Sequence, residues 1–379
     1  MTAAREPRPC GHTLVARLDS DGDVLLAGPA IRAVARGSDR VTLLASPSGE
    51  QAARLLPGVD DVLVWPCPWS GYEPPPVDAA DVERFVAVLR GAGIDQAVVM
   101  TSYHQSALPL ALLLRLAGVG RIVASSVDYP GSLLDVRHPP SGPHEVHRGL
   151  SLVAAAGFTT PDDERLALRT PLPPEPAGVR DWVAACGGAV AVHATASVSA
   201  RAVSPDHLAR IVAALRLAGH AVVLTGTAAD APVTSAVADG SDTVLAGTCS
   251  AAAPLLDLTG RTTFAELATV LRLVDALVCG NTGPAHLAAA VGTPVASLFA
   301  PVVSATTWRP WGVPCVVLGD QQARCAGSRA RTCPVPGHPC LDGIAPDAVV
   351  AAVEQLSVQT TPSPPGARLV PAGRQGAPA

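Results

Sequence analysis

Apolar and polar positions along the chain fall into two series of short apolar runs separated by helical patterns. The first series reads TLVARL from Thr13, a helix over about 29–36, VTLLAS, a helix closing near Leu56, and DVLVW. It continues with a helix over about 78–89, QAVVMTS, a Leu-rich helix over 107–116, and RIVASS. Apolar runs of this kind, each followed by a 3.6-residue repeat, predict buried parallel strands with helices on both faces of the sheet. A helix over 144–156 leads into PLPPEPAG, residues 171–178, whose prolines continue neither element. The rhythm then restarts with VAVHAT (190–195), a helix over 205–218, AVVLTG (221–226), a helix near 232–238 and LLDLTG (255–260). It closes with a helix over 264–273, ALVCG, a helix opening at Pro284, VASLFA and a last helix over about 346–356. The prediction is an α/β chain of two Rossmann-like domains facing a central cleft, at 10–172 and 179–357. The tail at 358–379 is Pro, Gly and Ala without periodicity and is expected to be disordered.

The stretch CGNTGPAHLAAAVGTPVASLFAP, 279–301, is the most informative. A strand ends at Gly280, Asn281 and Thr282 follow, and Gly283 and Pro284 open a helix. Pro284 fits the first helical turn, and Thr282 is placed to cap it. Backbone N–H groups, the positive end of the helix dipole and the His286 imidazole then point at one spot, which suits a phosphate or diphosphate. Taken alone, the same pattern also describes a plain βα turn whose histidine packs or caps.

Composition narrows the chemistry. All 27 basic residues are arginine, so a Schiff base to pyridoxal phosphate, a Walker-type lysine and a lysine general base are excluded. A net charge of −5 gives no reason to expect a nucleic-acid partner. The most apolar window, 107–119, is interrupted by Arg115 and is too short to span a membrane, which leaves peripheral association open. The N-terminus lacks a signal-peptide pattern, so a cytoplasmic protein with nine cysteines as free thiols is expected.

Two further groups lie at strand ends. The first strand runs into Asp19-Ser20-Asp21-Gly22-Asp23, whose sixth and twelfth loop positions, Val24 and Ala30, exclude an EF-hand. Gly22 is expected to allow a tight turn that aims Asp23 at the cleft. There it serves either as a base for a hydroxyl nucleophile or as a cap for the next helix. In the second series, His193-Ala194-Thr195 with Arg201 suits a phosphate, and Asp230 could accept ribose hydroxyls.

Together the 279–301 stretch, ARLDSDGDVLLAGPAIRAV followed by LLPGVDDVLVWPCPW, and RTCPVPGHPCLDGIAPDAVVAAV resemble glycosyltransferase family 9, the ADP-heptose:lipopolysaccharide heptosyltransferases. The resemblance covers about 13–356. It implies the GT-B fold, with the last helix packing back toward the first domain. It also implies an inverting transfer of heptose from ADP-heptose to a sugar hydroxyl, with no cofactor or metal required. Carried over by position, Asp23 is implied as the catalytic base, Thr282, Gly283 and His286 as the diphosphate turn, Asp230 as the ribose contact and Arg201 as a phosphate contact. Thr195 and Asn281 complete the donor site. Family members often have Asp where Asn281 stands, close to the donor sugar. Relatives also carry a Cys where Ser328 stands, beside Cys325, Cys333, His338 and Cys340. The remaining spacing is not that of a zinc ribbon or finger, so a packed or oxidisable loop is expected, with metal as the alternative. The acceptor is expected to be a glycan or small metabolite. A non-catalytic nucleotide-sugar-binding protein of the same fold is the rival reading, and a nucleotide-sugar epimerase or phosphorylase a further one.

Overall fold

The computed structural model describes residues 10–360 apart from Tyr72, Tyr103, His104 and Cys249. The first half runs β1 (Cys10–Arg17), α1 (Asp21–Leu26), α2 (Gly28–Arg36), β2 (Ser38–Ala45), α3 (Glu50–Leu55), β3 (Asp61–Val64) and α4 (Ala79–Gly91). It continues with β4 (Gln96–Met100), α5 (Leu108–Ala117), β5 (Arg121–Ser125), β6 (Val136–His138) and α6 (Glu145–Ala155). The second half runs α7 (Val179–Ala185), β7 (Val190–His193), α8 (Pro205–Leu217), β8 (Val222–Thr225), α9 (Ala231–Ala246), β9 (Leu255–Asp257) and α10 (Phe264–Leu273). After these come β10 (Ala276–Gly280), α11 (Gly283–Val291), β11 (Val295–Leu298), α12 (Ala305–Trp308), β12 (Cys315–Leu318), α13 (Pro339–Asp342) and α14 (Pro346–Thr360). Residues 171–178 belong to no helix or strand.

Each half holds one six-stranded parallel sheet. The orders are β3-β2-β1-β4-β5-β6 and β9-β8-β7-β10-β11-β12, the same doubly wound topology twice. Central strands such as β4, β7 and β10 are buried at every position, which is why they read as unbroken apolar runs. In both sheets the order reverses beside the first strand, at the β1/β4 and β7/β10 junctions. Crevices at the carboxyl ends of such junctions are where this topology binds ligands. One apolar cluster crosses between the halves, joining Val24, Ala52 and Ala53 to Leu271, Ala285 and Leu287.

Three expectations need correction. The tight turn expected at 19–23 ends earlier: α1 opens at Asp21, so Asp23 lies inside a helix. The last helix does not return to the first half. Its stripe Val349, Val353 and Leu356 is buried with Ile211 and Leu215 of α8 and with Leu298, because its apolar partners all lie on the second sheet. That helix also continues through 358–360, and the rest of the expected disordered tail, from 361 on, lies outside the described residues.

Candidate active site

At the second switch point β10 delivers Gly280, Asn281 and Thr282 to the start of α11. Thr282 occupies the N-cap with extended backbone, yet its side chain makes no capping hydrogen bond, contrary to expectation. The α11 N-terminus therefore keeps its partial positive charge unscreened by a cap. His286, in the first turn, is 4% exposed, and its Nδ1 is buried without a hydrogen-bond partner. Burial brings its pKa down to about 4, with the Asp23 charge opposing the shift, so the imidazole is neutral near pH 7. The carbonyl of Arg201 lies over the same strand end. A Cβ on Gly280 would sit 2.5 Å from it, so only glycine lets this loop close down. Arg201 Nε is also buried without a partner. Leaving a buried donor or acceptor unpaired costs about 1–3 kcal/mol, and two such atoms beside an uncapped helix start mark a place that a ligand completes. Asn281 is buried at the same point.

Two strands over from β10, Asp230 follows β8. Its Oδ2 accepts from Thr227 N and Oγ1, both at 2.7 Å, as the third residue of a capping box. Thr195 bonds to it as well; burial alone would raise its pKa, but these bonds and nearby His193 bring it below the usual carboxylate range. Burial also drives His193 down to about 4, and its Nδ1 lies 3.0 Å from Thr225 Oγ1. Asp230 is thus engaged structurally at the place where a ribose contact is expected.

The first switch point carries a group that the sequence reading left out. Arg17, at the inner end of β1, is 4% exposed and gathers three carboxylates. Its Nε lies 2.9 Å from Asp19 Oδ2, its Nη2 lies 3.2 Å from Asp23 Oδ1, and both Nη atoms lie 3.4 Å from Glu145 Oε2 of α6. Burial would lower its pKa, but the three anions outweigh burial and raise it. Asp19 is pushed up to about 6, mainly by burial, against the pull of Arg17. The structure gives Asp23 a part in the cap expected of it, as the partner of the N-cap and not as the N-cap itself. Ser20 is the N-cap of α1, and Asp23, three residues on, reaches back with Oδ2 to Ser20 N (3.3 Å) and Oγ (2.8 Å), while Oδ1 faces Arg17. Asp23 therefore takes part in a cap and an ion pair together. A lone arginine in the apolar run TLVARL was the available signal; Glu145, 128 residues away, gave none.

The two switch points meet. A Cβ on Gly22 would lie 3.0 Å from His286 Cδ2 and 3.3 Å from Gly283 Cα. Gly22 is helical, so its purpose is this close approach of α1 to α11 and not the tight turn expected of it. His144, the N-cap of α6, takes a hydrogen bond from Val146 N on Nδ1 and donates from Nε2 to Arg309 O at 2.9 Å, tying the halves together beside the cleft.

A family model described as glycosyltransferase family 9 (heptosyltransferase) matches residues 82–338. The chain belongs to glycosyltransferase family 9. It is 29% identical over 184 residues to lipopolysaccharide heptosyltransferase 3 of Escherichia coli K12, a match covering 46% of this chain and 48% of that protein. The chain thus spans about half the length of the curated relatives it matches. Among solved structures it is similar to E. coli ADP-heptose LPS heptosyltransferase II, with TM-score 0.68 and 18% identity over 92% of this chain and 99% of that one. It is also similar to a glycosyltransferase family 9 protein of Veillonella parvula (TM-score 0.68, 14% identity, 92% and 98% covered). The E. coli heptosyltransferase WaaC with ADP aligns with TM-score 0.62 at 15% identity, over 91% and 99% of the two chains. These likenesses establish the fold as the two-domain GT-B arrangement.

For this family 9 chain, Asn281 is a buried neutral side chain where the resemblance implies an acid. In the late cysteine loop, Cys325 and Cys340 are buried, Cys333 lies close to Cys340 and donates to Val335 O, and all three are free thiols. His338 has φ 46°, and its Nε2 is buried without a partner. No group of three or more His, Cys, Asp or Glu among the described residues is disposed to hold a metal ion. No described helix is long and apolar enough to cross a membrane.

Proposed function

We propose that the protein is an inverting glycosyltransferase that moves a heptose-like sugar from a nucleoside-diphosphate donor, most simply ADP-heptose, to a hydroxyl of a glycan or small-metabolite acceptor. The observation that carries this reading is the pairing of an uncapped α11 N-terminus and two orphaned cationic or donor groups with a carboxylate directly across the cleft. The diphosphate sits against the first turn of α11, where the N–H groups at Gly283 and beyond, the neutral His286 imidazole and the Arg201 guanidinium hold its charge. As the sugar–phosphate bond breaks, the same groups stabilise the leaving diphosphate in a water-poor site. Asp230 and Thr195 face the ribose, with the Asp230 carboxylate sharing its bonds to Thr227. Asn281 lies nearest the donor sugar and orients it without adding a charge.

The acceptor is bound by the 10–172 half. Its hydroxyl is deprotonated by Asp23 as it attacks the anomeric carbon from the face opposite the diphosphate, which inverts the configuration. Free thiols throughout the described residues, Cys67 to Cys340, fit a reducing cytoplasmic compartment, with the acceptor met there or at a membrane surface. A non-catalytic binder would need Asp23 only for the cap and the ion pair, so turnover separates the two readings. The test is thermal stability in the presence of ADP, UDP, GDP and dTDP, followed by ADP release from ADP-heptose with a panel of saccharide acceptors. A nucleoside diphosphate at a hundred times its Kd stabilises by about 2.7 kcal/mol. Absence of any stabilisation by all four diphosphates would refute the donor site.

A further inference from the structure

We propose that Arg17 is the positioning residue of the base: from the end of β1 it gathers Asp19, Asp23 and Glu145 around one guanidinium and thereby fixes where the Asp23 carboxylate points. This rests on the reading of Asp23 as the base.

Both Asp23 oxygens have assigned partners, Oδ1 on Arg17 Nη2 at 3.2 Å and Oδ2 on Ser20 N and Oγ. The carboxylate cannot turn about its Cβ–Cγ bond without losing one set. Arg17 is itself held from three directions. Ser102 Oγ, just after β4, accepts from Nη2 at 3.2 Å, Asp19 is fixed by Gln105 Nε2 at 2.6 Å, and Glu145 is fixed by Arg148 Nη1 at 2.7 Å. Simple stability does not call for this arrangement. Burying one cation among three anions carries a desolvation cost that an apolar core of the same volume avoids. Arg17 and Glu145 also line a small pocket with Ser126, Val127, Pro140 and Leu152, all of them in the half assigned to the acceptor. Held in this way, Asp23 needs no reorganisation when a hydroxyl arrives, and its negative charge is matched by a cation that cannot move away.

The charged and titratable groups facing Asp23 are Arg17 and Asp19 from its own segment, Glu145 from α6 and His286 from α11. Two substitutions at Arg17 therefore separate positioning from support: Arg17→Met removes the cation beside Asp23, and Arg17→Lys keeps one positive charge but cannot hold three carboxylates at once. A purely structural role lowers stability in both and leaves kcat of the folded protein unchanged.

The experiment measures kcat and donor KM separately on the full chain, with urea unfolding of each variant alongside. In Arg17→Lys, whose ammonium cannot serve three carboxylates at once, kcat is expected to fall at least about tenfold with donor KM within about twofold. In Arg17→Met the fall in kcat is expected to be at least as large; should that variant fail to fold, Arg17→Lys alone decides, and an unchanged kcat in the folded Arg17→Lys protein overturns the proposal. A raised donor KM at unchanged kcat in Arg17→Lys overturns it too. Retained turnover in Asp23→Asn sinks the base assignment itself, an outcome separable from the Arg17→Lys result.

Discussion

Replacing Asp23 by Asn is the substitution that separates an enzyme from a binder, and the structure changes how its result is interpreted. Were Asp23 an N-cap, Asn would be a neutral probe, since it caps a helix as well as Asp does. Asp23 is not the N-cap, however; it is the third helical residue, bonded back to Ser20 and paired with buried Arg17. Asn keeps an oxygen for Ser20 but turns an amide toward the guanidinium and removes a charge from the positive end of α1. The dipole component is about 0.3–1 kcal/mol, and a charge-assisted hydrogen bond is about 1.5–3 kcal/mol. Arg17 retains Asp19 and Glu145, so the expected stability loss is about 1–3 kcal/mol and the variant stays folded. A general base contributes about 10² to 10⁴ in rate, equivalent to about 2.7–5.4 kcal/mol of barrier. Turnover should therefore fall by that factor, while ADP affinity, measured by calorimetry on the folded variant, changes less than about threefold because the carboxylate serves the acceptor. Stability no longer discriminates between base and cap, because both roles lose it; the rate does. Transfer that survives Asp23→Asn with less than a threefold loss would refute the reasoning and leave the binding-protein account or a base elsewhere in the cleft.

His286→Ala should weaken ADP about 10- to 150-fold, the value of one hydrogen bond to a charged group, and leave adenosine within about twofold; equal losses for both would move the phosphates elsewhere. Gly22→Ala should destabilise by about 1–3 kcal/mol and weaken ADP, because the added methyl meets His286 and the Gly283 backbone. If it instead stabilises the chain, as Ala does in an open helix, the close approach is wrong. Stability should fall as pH drops from about 6.5 toward 4. His144, His193 and His286 have folded pKa values of about 4, mainly through burial, so the unfolded chain takes up protons that the folded chain refuses. Asp19 and Asp21, raised to about 6 chiefly by burial, act in the opposite sense and soften the loss. Urea unfolding at several pH values that showed a flat or rising stability toward pH 4 would contradict this balance.

What the sequence by itself determined is local. Alternating apolar runs and helical repeats gave five strands of each sheet, because each buried parallel strand and the amphipathic helix after it carry their own spacing, but missed the partly exposed edge strands β6 and β12. The turn from Cys279 to His286 was legible for the same reason: the glycines, the proline and the histidine are neighbours in the chain as well as in the fold. The tertiary structure alone decided the rest. Glu145 reaches Arg17 only because α6 packs beside the first switch point, and no pattern over 128 residues encodes that distance. The need for Gly22 comes from His286 on the other half, and the last helix chose the second sheet because its apolar partners lay there. Asp23 acquired two partners at once from a helix start that its aspartates and glycine disguised as a turn. Propensity and spacing act within a few residues, whereas a buried charge cluster is set by which strand ends the sheet order brings together.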